Sequence, residues 1–214
     1  ISSQFAMHAD LRFTDHKPRV AILAGKQSHC LFDLLSRWHS GELPAEIVAV
    51  INNHPDHASL VEHMGVPYLH LPVTPETKTT QEQAVLHALN EQQVDLVVLA
   101  RYMQILSPAL VNAYQSRIIN IHHSFLPAFK GAQPYHRAWD RGVKLIGATA
   151  HYVTEQLDDG PIIEQATLSV SHRDEVEDLI RKGRDTERLA LARALRLHLC
   201  RQVMVYRGRT AVFA

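Results

Sequence analysis

The chain has 214 residues, of which 46% are apolar and 21% are charged, a balance typical of a globular domain with its own core. Its 22 basic and 22 acidic residues cancel, so no strongly basic face for a phosphate backbone is indicated. No apolar run approaches the ~20 residues that cross a bilayer, and the first nine residues lack a secretory signal pattern. The sequence therefore predicts a globular protein without a nucleic-acid or membrane partner.

The cysteines and the start of the chain bear on the compartment and on the length of the protein. Cys30 and Cys200 are the two cysteines, and we interpret them as free thiols in a reducing cytoplasm, with one long-range disulfide as the alternative. The sequence begins at Ile1 rather than at methionine, so we expect a fragment of a longer chain. Fifteen histidines occur, and a histidine-rich surface accounts for most of them.

Short apolar segments alternate with helical patterns along most of the chain, after a weakly periodic segment over residues 1–17. Strands are predicted over Arg19–Ala24, Glu46–Ile51, Tyr68–Leu71, Leu96–Ala100 and Ile118–Ile121, and helices over Cys30–Trp38, His57–Met64, Thr77–Gln92 and the segment that Ser107 caps and Pro108 begins. Further strands are predicted over Leu145–Val153 and Pro161–Val170, a helix over Thr186–Arg201, and a hairpin of Val203–Tyr206 and Thr210–Phe213. This alternation predicts an α/β fold with a Rossmann-like, mostly parallel twisted sheet flanked by helices, in one domain over residues 18–214.

Two polar loops follow predicted strands, where open α/β sheets place their ligand sites. One loop begins at Asn120 and contains His122, and the other contains Asp158. An amide, an imidazole and a carboxylate suit addition to a carbonyl, because they can stabilise an oxyanion, move protons near neutral pH and orient the imidazole or a water. By residue type alone, ordinary turn residues remain the alternative. A metal shared by His122 and His123 is disfavoured, since neighbours on an extended segment point to opposite sides.

The spacing within these loops resembles the signature of a known family. The pattern Asn120-x-His122-x-Ser124-x-Leu126-Pro127, then Gly131, then Leu157-Asp158-x-Gly160-Pro161 is similar to that of the 10-formyltetrahydrofolate formyltransferase-fold enzymes. The resemblance covers Pro18 to Ala214. It implies the formyltransferase fold, with Asn120, His122 and Asp158 as the catalytic residues and no metal or cofactor, the folate being the substrate.

The same resemblance implies where the folate binds. The substrate-binding residues it implies are Met103, Gln104, Ile105, Leu106, Val153, Thr154 and Gln156. Without the family, the apolar residues among them are equally well explained as core. Many transferases of the family carry arginine where Gln104 stands, so Arg101 is the substitute that we expect to bind the folate glutamate. His123 and His151 either tune the catalytic residues or form local hydrogen bonds.

The turn after the first strand separates two activities. Family members that transfer formyl groups to glycinamide ribonucleotide have Gly-x-Gly-Ser-Asn there, whose backbone N–H groups hold a phosphate. This chain has Gly25-Lys26-Gln27-Ser28-His29, and its bulkier side chains obstruct such an approach. The loop around His123 also resembles the deformylase branch of the family, so we expect hydrolysis of 10-formyltetrahydrofolate by water to formate and tetrahydrofolate, which supplies formate for purine synthesis.

Alternatives to hydrolysis remain open at this point. Formyl transfer to a small amine such as glycinamide ribonucleotide is the main one, because Lys26 still offers one phosphate contact. A folate-binding sensor without turnover is a second. Oxidoreduction with a dinucleotide is weakened by the lack of G-x-G-x-x-G after the first strand. The segment Phe5–Lys17 resembles the tail of an ACT regulatory domain, and the deformylase branch implies a homo-oligomer.

Overall fold

The computed structural model describes residues 17–128 and 134–213. Residues 1–16, with nearly all of the expected ACT tail, and the motif residue Gly131 lie outside them. The strands are β1 Arg19–Ala24, β2 Glu46–Asn52, β3 Tyr68–His70, β4 Leu96–Ala100, β5 Ile118–His122, β6 Leu145–Tyr152, β7 Ile162–Ser169, β8 Val203–Tyr206 and β9 Arg209–Val212. The helices are α1 His29–His39, α2 Ala58–His63, α3 Lys78–Glu91, α4 Pro108–Ala113, α5 Pro134–Asp140 and α6 Val176–Leu199.

Seven of these strands form one sheet, in the order β3-β2-β1-β4-β5-β6-β7. The first five strands in this order, β3, β2, β1, β4 and β5, pair in parallel. Strands β6 and β7 are added antiparallel at one edge. The prediction of a mostly parallel sheet is confirmed. The chain winds outward in one direction from β1 and in the other from β4, and ligand sites lie beyond the carboxyl ends of strands at such a switch point.

Apolar side chains on the two faces of the sheet form separate cores. One face is covered by α1 and α6, whose leucines pack on residues such as Ile22 and Val98, and the other by α3 and α4, which pack on residues such as Leu23 and Val97. Burial on both faces explains why β1 and β4 are continuous apolar runs rather than alternating ones.

Helix α6 is longer than the sequence predicted, since it begins at Val176 and not at Thr186. A reciprocal capping box between Glu175 and Asp178 starts it, and such a box satisfies backbone N–H groups that the first turn leaves without partners. The missed portion is charged and contains Gly183, a poor helix former, so its apolar periodicity is weak. Helix α5 was not predicted either.

Smaller features follow the sequence more closely. Ser107 caps α4 through a hydrogen bond from the Leu110 N–H, with Pro108 at the first position, as expected. Both cysteines are free thiols, Cys30 buried and Cys200 exposed. Across residues 17–128 and 134–213, no helix combines the length and apolarity that crossing a membrane requires.

Candidate active site

A cavity of about 580 Å³ opens at the carboxyl ends of β1, β4 and β5. Its wall includes the three residues predicted as catalytic, Asn120, His122 and Asp158. Asn120 and His122 come from the last residues of β5, and Asp158 comes from the loop between β6 and β7. The structure therefore brings the predicted trio together at the switch point of the sheet.

His122 and Asp158 are in direct contact. The Nδ1 atom of His122 lies 3.2 Å from Oδ1 of Asp158, and the imidazole is almost fully buried. The hydrogen bond from His122 holds the pKa of Asp158 below its ordinary value, against the opposing effect of burial. With Nδ1–H donated to the carboxylate, Nε2 is left as the basic nitrogen. That Nε2 is buried and has no hydrogen-bond partner within residues 17–128 and 134–213, so its lone pair is unsatisfied by this part of the protein.

Asn120 is oriented by His151, which faces it from β6. The Nδ1 atom of His151 lies 2.9 Å from the backbone carbonyl oxygen of Tyr152, to which it donates. In the neutral ring Nε2 then accepts, and the Asn120 amide nitrogen lies 3.2 Å from it. His151 Nε2 is also 3.9 Å from Asp158 Oδ1. One imidazole thus touches both the amide and the carboxylate of the trio, and one amide N–H of Asn120 remains for another partner.

The backbone at the site is strained. Arg101, Met103 and Asp158 have φ of 60°, 57° and 54°, in the left-handed region that side chains disfavour. Gly160 is also constrained, because a Cβ there would lie 1.7 Å from the Tyr152 carbonyl oxygen. The glycine of the Leu157-Asp158-x-Gly160-Pro161 motif therefore allows the backbone of the Asp158 loop to pack directly against the end of β6.

The predicted substrate-binding residues line a groove beside the trio. A pocket of about 60 Å³ adjoins Asn120 and Asp158. Its walls include six of the seven predicted residues, Gln104, Ile105, Leu106, Val153, Thr154 and Gln156. The seventh, Met103, lines the larger cavity and is 67% exposed. Beside Met103, Tyr102 also lines the larger cavity, and its hydroxyl accepts from the Gln81 amide at 2.8 Å.

The expectation that His122 and His123 point to opposite sides is wrong. Their ring centroids are 4.9 Å apart with an interplanar angle of 32°, and both rings line the large cavity. The strand ends at His122, so strict alternation does not extend to His123. Burial, followed by the positive charge of Arg101, lowers the pKa of His123 to about 4. His123 is therefore neutral near pH 7.

The far end of the cavity holds a polar cluster that the sequence did not predict. Glu187 of α6 accepts from His29 at 2.7 Å and from the Tyr135 hydroxyl at 2.8 Å. Burial raises the pKa of Glu187, but the His29 hydrogen bond and the charge of Arg101 outweigh it, and the pKa is lowered. One signal was available, since Glu187 interrupts the buried stripe of an amphipathic helix.

Arg101, which was expected to bind the folate glutamate, lies in the wall of the large cavity. Its Nε atom donates to Gln27 at 3.1 Å and lies 3.5 Å from a carboxylate oxygen of Glu187, and the residue is 8% exposed. Arg101 is thus buried in the polar cluster beside the Glu187 carboxylate, while its Nη1 atom has no hydrogen-bond partner among residues 17–128 and 134–213.

The same cluster contains the described residues best arranged to hold a metal. Ligand atoms of His29, Cys30 and Glu187 all lie within 4.8 Å of one another. Both oxygens of Glu187 already accept hydrogen bonds, and the Arg101 guanidinium lies beside the same carboxylate. Burial also raises the pKa of the Cys30 thiol well above its ordinary value, which disfavours the thiolate that binds metals. The surroundings of these three residues are therefore poor for a cation.

Buried hydrogen bonds fix the loop that follows His122. The Thr149 hydroxyl, fully buried on β6, accepts from the Leu126 N–H at 3.0 Å and donates to the Ser124 carbonyl oxygen at 2.9 Å. The Gln165 amide donates to the same hydroxyl and to the Leu126 carbonyl oxygen. One side chain of β6 thus holds both the middle and the start of this loop.

This fold and this site define an α/β protein in which an amide, an imidazole and a carboxylate meet in one cavity beyond the ends of the parallel strands. A family model described as formyl transferase matches residues 18–195, so the chain belongs to the formyl transferase family. It is 56% identical over 214 residues to a formyltetrahydrofolate deformylase of Synechocystis, covering 100% of this chain and 75% of that protein.

Solved structures agree with this assignment. A formyltetrahydrofolate deformylase from Pseudomonas syringae matches 100% of this chain, and 72% of its own, with a TM-score of 0.97 and 52% identity. A glycinamide ribonucleotide transformylase from Symbiobacterium toebii matches 96% of this chain, and 99% of its own, with a TM-score of 0.87 and 32% identity. The fold is shared with transferases, but the sequence is more similar to proteins named as deformylases.

Proposed function

We propose that this protein hydrolyses 10-formyltetrahydrofolate to formate and tetrahydrofolate. The observation that carries the proposal is the contact of His122 with Asp158 beside Asn120, in a chain about half identical over its whole length to proteins named formyltetrahydrofolate deformylase. The groove between residues 104–106 and 153–156 is the place for the pteridine, since it adjoins Asn120 and Asp158.

The reaction begins with water attacking the formyl carbon. As the C–O bond forms, a water proton passes to the Nε2 atom of His122, whose Nδ1–H is held by Asp158. The oxyanion of the tetrahedral intermediate accepts from the Asn120 amide N–H and from protonated His122. Such donors each lower the barrier by about 2.7–4 kcal/mol. The C–N10 bond then breaks, N10 takes the proton from His122, and the formic acid produced gives its remaining proton to solvent and leaves as formate.

Hydrolysis is favoured over transfer by the far end of the cavity. A transferase has to hold a second, amine-bearing substrate there. In this chain Glu187 accepts hydrogen bonds from both His29 and Tyr135, and Arg101 lies beside the same carboxylate. A phosphorylated amine would have to break these buried bonds and face the Glu187 carboxylate, so water is the remaining nucleophile.

The proposal is tested by incubating the purified chain with 10-formyltetrahydrofolate and no amine. We expect stoichiometric formate and tetrahydrofolate, with no formylated product when glycinamide ribonucleotide is added. Formylated amine, together with less formate in the presence of the amine than in its absence, indicates a transferase. Tight folate binding without either product indicates a sensor.

We also infer that copies of the chain associate and that the protein works in the cytoplasm. Met204, Tyr206 and Phe213 of the C-terminal hairpin segment are exposed apolar side chains, which contact between copies would bury. The exposed free thiol of Cys200 suits a reducing compartment. Sedimentation velocity tests the first inference, which predicts a mass above the 24.2 kDa of one chain.

A further inference from the structure

The attacking water needs acceptors for its protons as well as room beside the formyl carbon. His122 accounts for one proton, since its Nε2 atom is buried in the cavity wall without a hydrogen-bond partner among the described residues. A water held by one contact remains free to rotate and drift. A second acceptor on the same wall fixes the position of the water and the direction of its attacking lone pair, and such positioning lowers the barrier.

Most polar side chains on the wall beyond His122 are already engaged. The Tyr135 hydroxyl donates to Glu187, whose other oxygen accepts from His29. The side-chain oxygen of Gln27 accepts from Arg101, and the Arg101 guanidinium itself has no acceptor atom. This part of the wall therefore offers few free hydrogen-bond acceptors for a water molecule.

His123 differs from these side chains. Its ring lies 4.9 Å from that of His122 and 6.4 Å from that of Tyr135, measured between centroids. It lines both the large cavity and a second cavity of about 180 Å³ behind it. Neither ring nitrogen forms a hydrogen bond with any residue in the described part of the chain. An imidazole so placed offers a lone pair to water beside His122.

We propose that His123 positions the nucleophilic water by accepting one of its hydrogen bonds, while the other proton goes to His122. This role rests on the proposed hydrolysis and deepens it. Its ring stays neutral throughout, because burial and the nearby charge of Arg101 lower its pKa to about 4. His123 is thus an acceptor and not a base, and the attacking water's proton still passes to His122 and then to N10.

The test compares His123→Phe, which keeps a ring without a lone pair, with His123→Gln, which keeps an acceptor. We expect His123→Phe to lower kcat for formate release about 10²-fold, as for a misplaced reactant, with KM for the folate within about twofold. His123→Gln should recover at least about tenfold of that loss. Equal loss in both variants, or no loss in His123→Phe, overturns the proposal.

A second readout separates water positioning from a structural role. Hydroxylamine can replace water as the nucleophile, and the product is then formyl hydroxamate. Since hydroxylamine is a much stronger nucleophile than water, its attack depends less on being positioned by His123, and we expect the ratio of enzymatic hydroxamate to formate to rise about tenfold or more in His123→Phe. An unchanged ratio means that both routes fail together and overturns the proposal. Wild-type protein that releases no formate overturns the proposed hydrolysis itself.

Discussion

The Nδ1 atom of His122 lies 3.2 Å from Oδ1 of Asp158, and this contact joins the end of β5 to the loop that precedes β7. It fixes which nitrogen of the imidazole carries the proton, and so directs the other nitrogen to the cavity. The contact is also the largest cause of the lowered pKa of Asp158. Both effects require the carboxylate to be ionised.

The Asp158→Asn substitution tests this contact. The amide cannot stabilise an imidazolium and allows the wrong tautomer of His122, so we expect kcat to fall about 10³–10⁴-fold. Circular dichroism should show an unchanged fold. Asp159→Asn is the matched control, since Asp159 is the neighbouring exposed carboxylate, and it should keep near wild-type turnover. Asp158→Asn with near wild-type kcat contradicts the assignment.

The Thr149→Val substitution tests the support of the loop after His122. It leaves the Leu126 N–H and the Ser124 carbonyl oxygen without their buried partner. We expect a loss of about 1–3 kcal/mol in the free energy of unfolding, measured by urea denaturation, and a lower kcat. Thr149→Ser keeps the hydroxyl and should lose about 1 kcal/mol for its methyl group. A smaller loss in Thr149→Val than in Thr149→Ser argues against this network.

The effect of Gly183→Ala on stability should depend on whether Tyr135 is present. A Cβ at Gly183 would lie 2.1 Å from the Tyr135 hydroxyl oxygen, so Gly183→Ala should displace Tyr135 from Glu187 and destabilise the protein. In the Tyr135→Ala background the clash is gone, and alanine should then stabilise α6 by about 1 kcal/mol through its helix propensity. Thermal unfolding of the four proteins measures both effects. The same sign in both backgrounds contradicts the packing described here.

His123 predicts how stability changes with pH. Its pKa is about 4 in the folded protein, below the ordinary 6.5, so between these values the unfolded chain binds more protons and stability falls as the pH falls. Asp158, whose pKa is also lowered, acts in the same direction at more acidic pH. We expect His123→Phe to lose less stability than wild type between about pH 7 and about pH 5. Parallel losses would show that His123 does not titrate in this way.

The sequence predicted the parallel sheet and the meeting of the trio for one physical reason. Strands buried on both faces are continuous apolar runs, as in Leu96–Ala100, and their carboxyl ends share one edge. The polar cluster was out of reach, because His29, Tyr135 and Glu187 come from three helices whose mutual packing no local pattern encodes. The orientation of His123 was missed because it depends on where β5 ends.

Hydrolysis at this site is most directly tested by isotope. The purified chain is given 10-formyltetrahydrofolate in water enriched in ¹⁸O, without any amine, and the formate is analysed by mass spectrometry. We predict formate carrying one oxygen atom from the solvent, at a rate that Asp158→Asn lowers about 10³–10⁴-fold. Formate without solvent oxygen, or a formyl group recovered only on an added amine, would contradict the account.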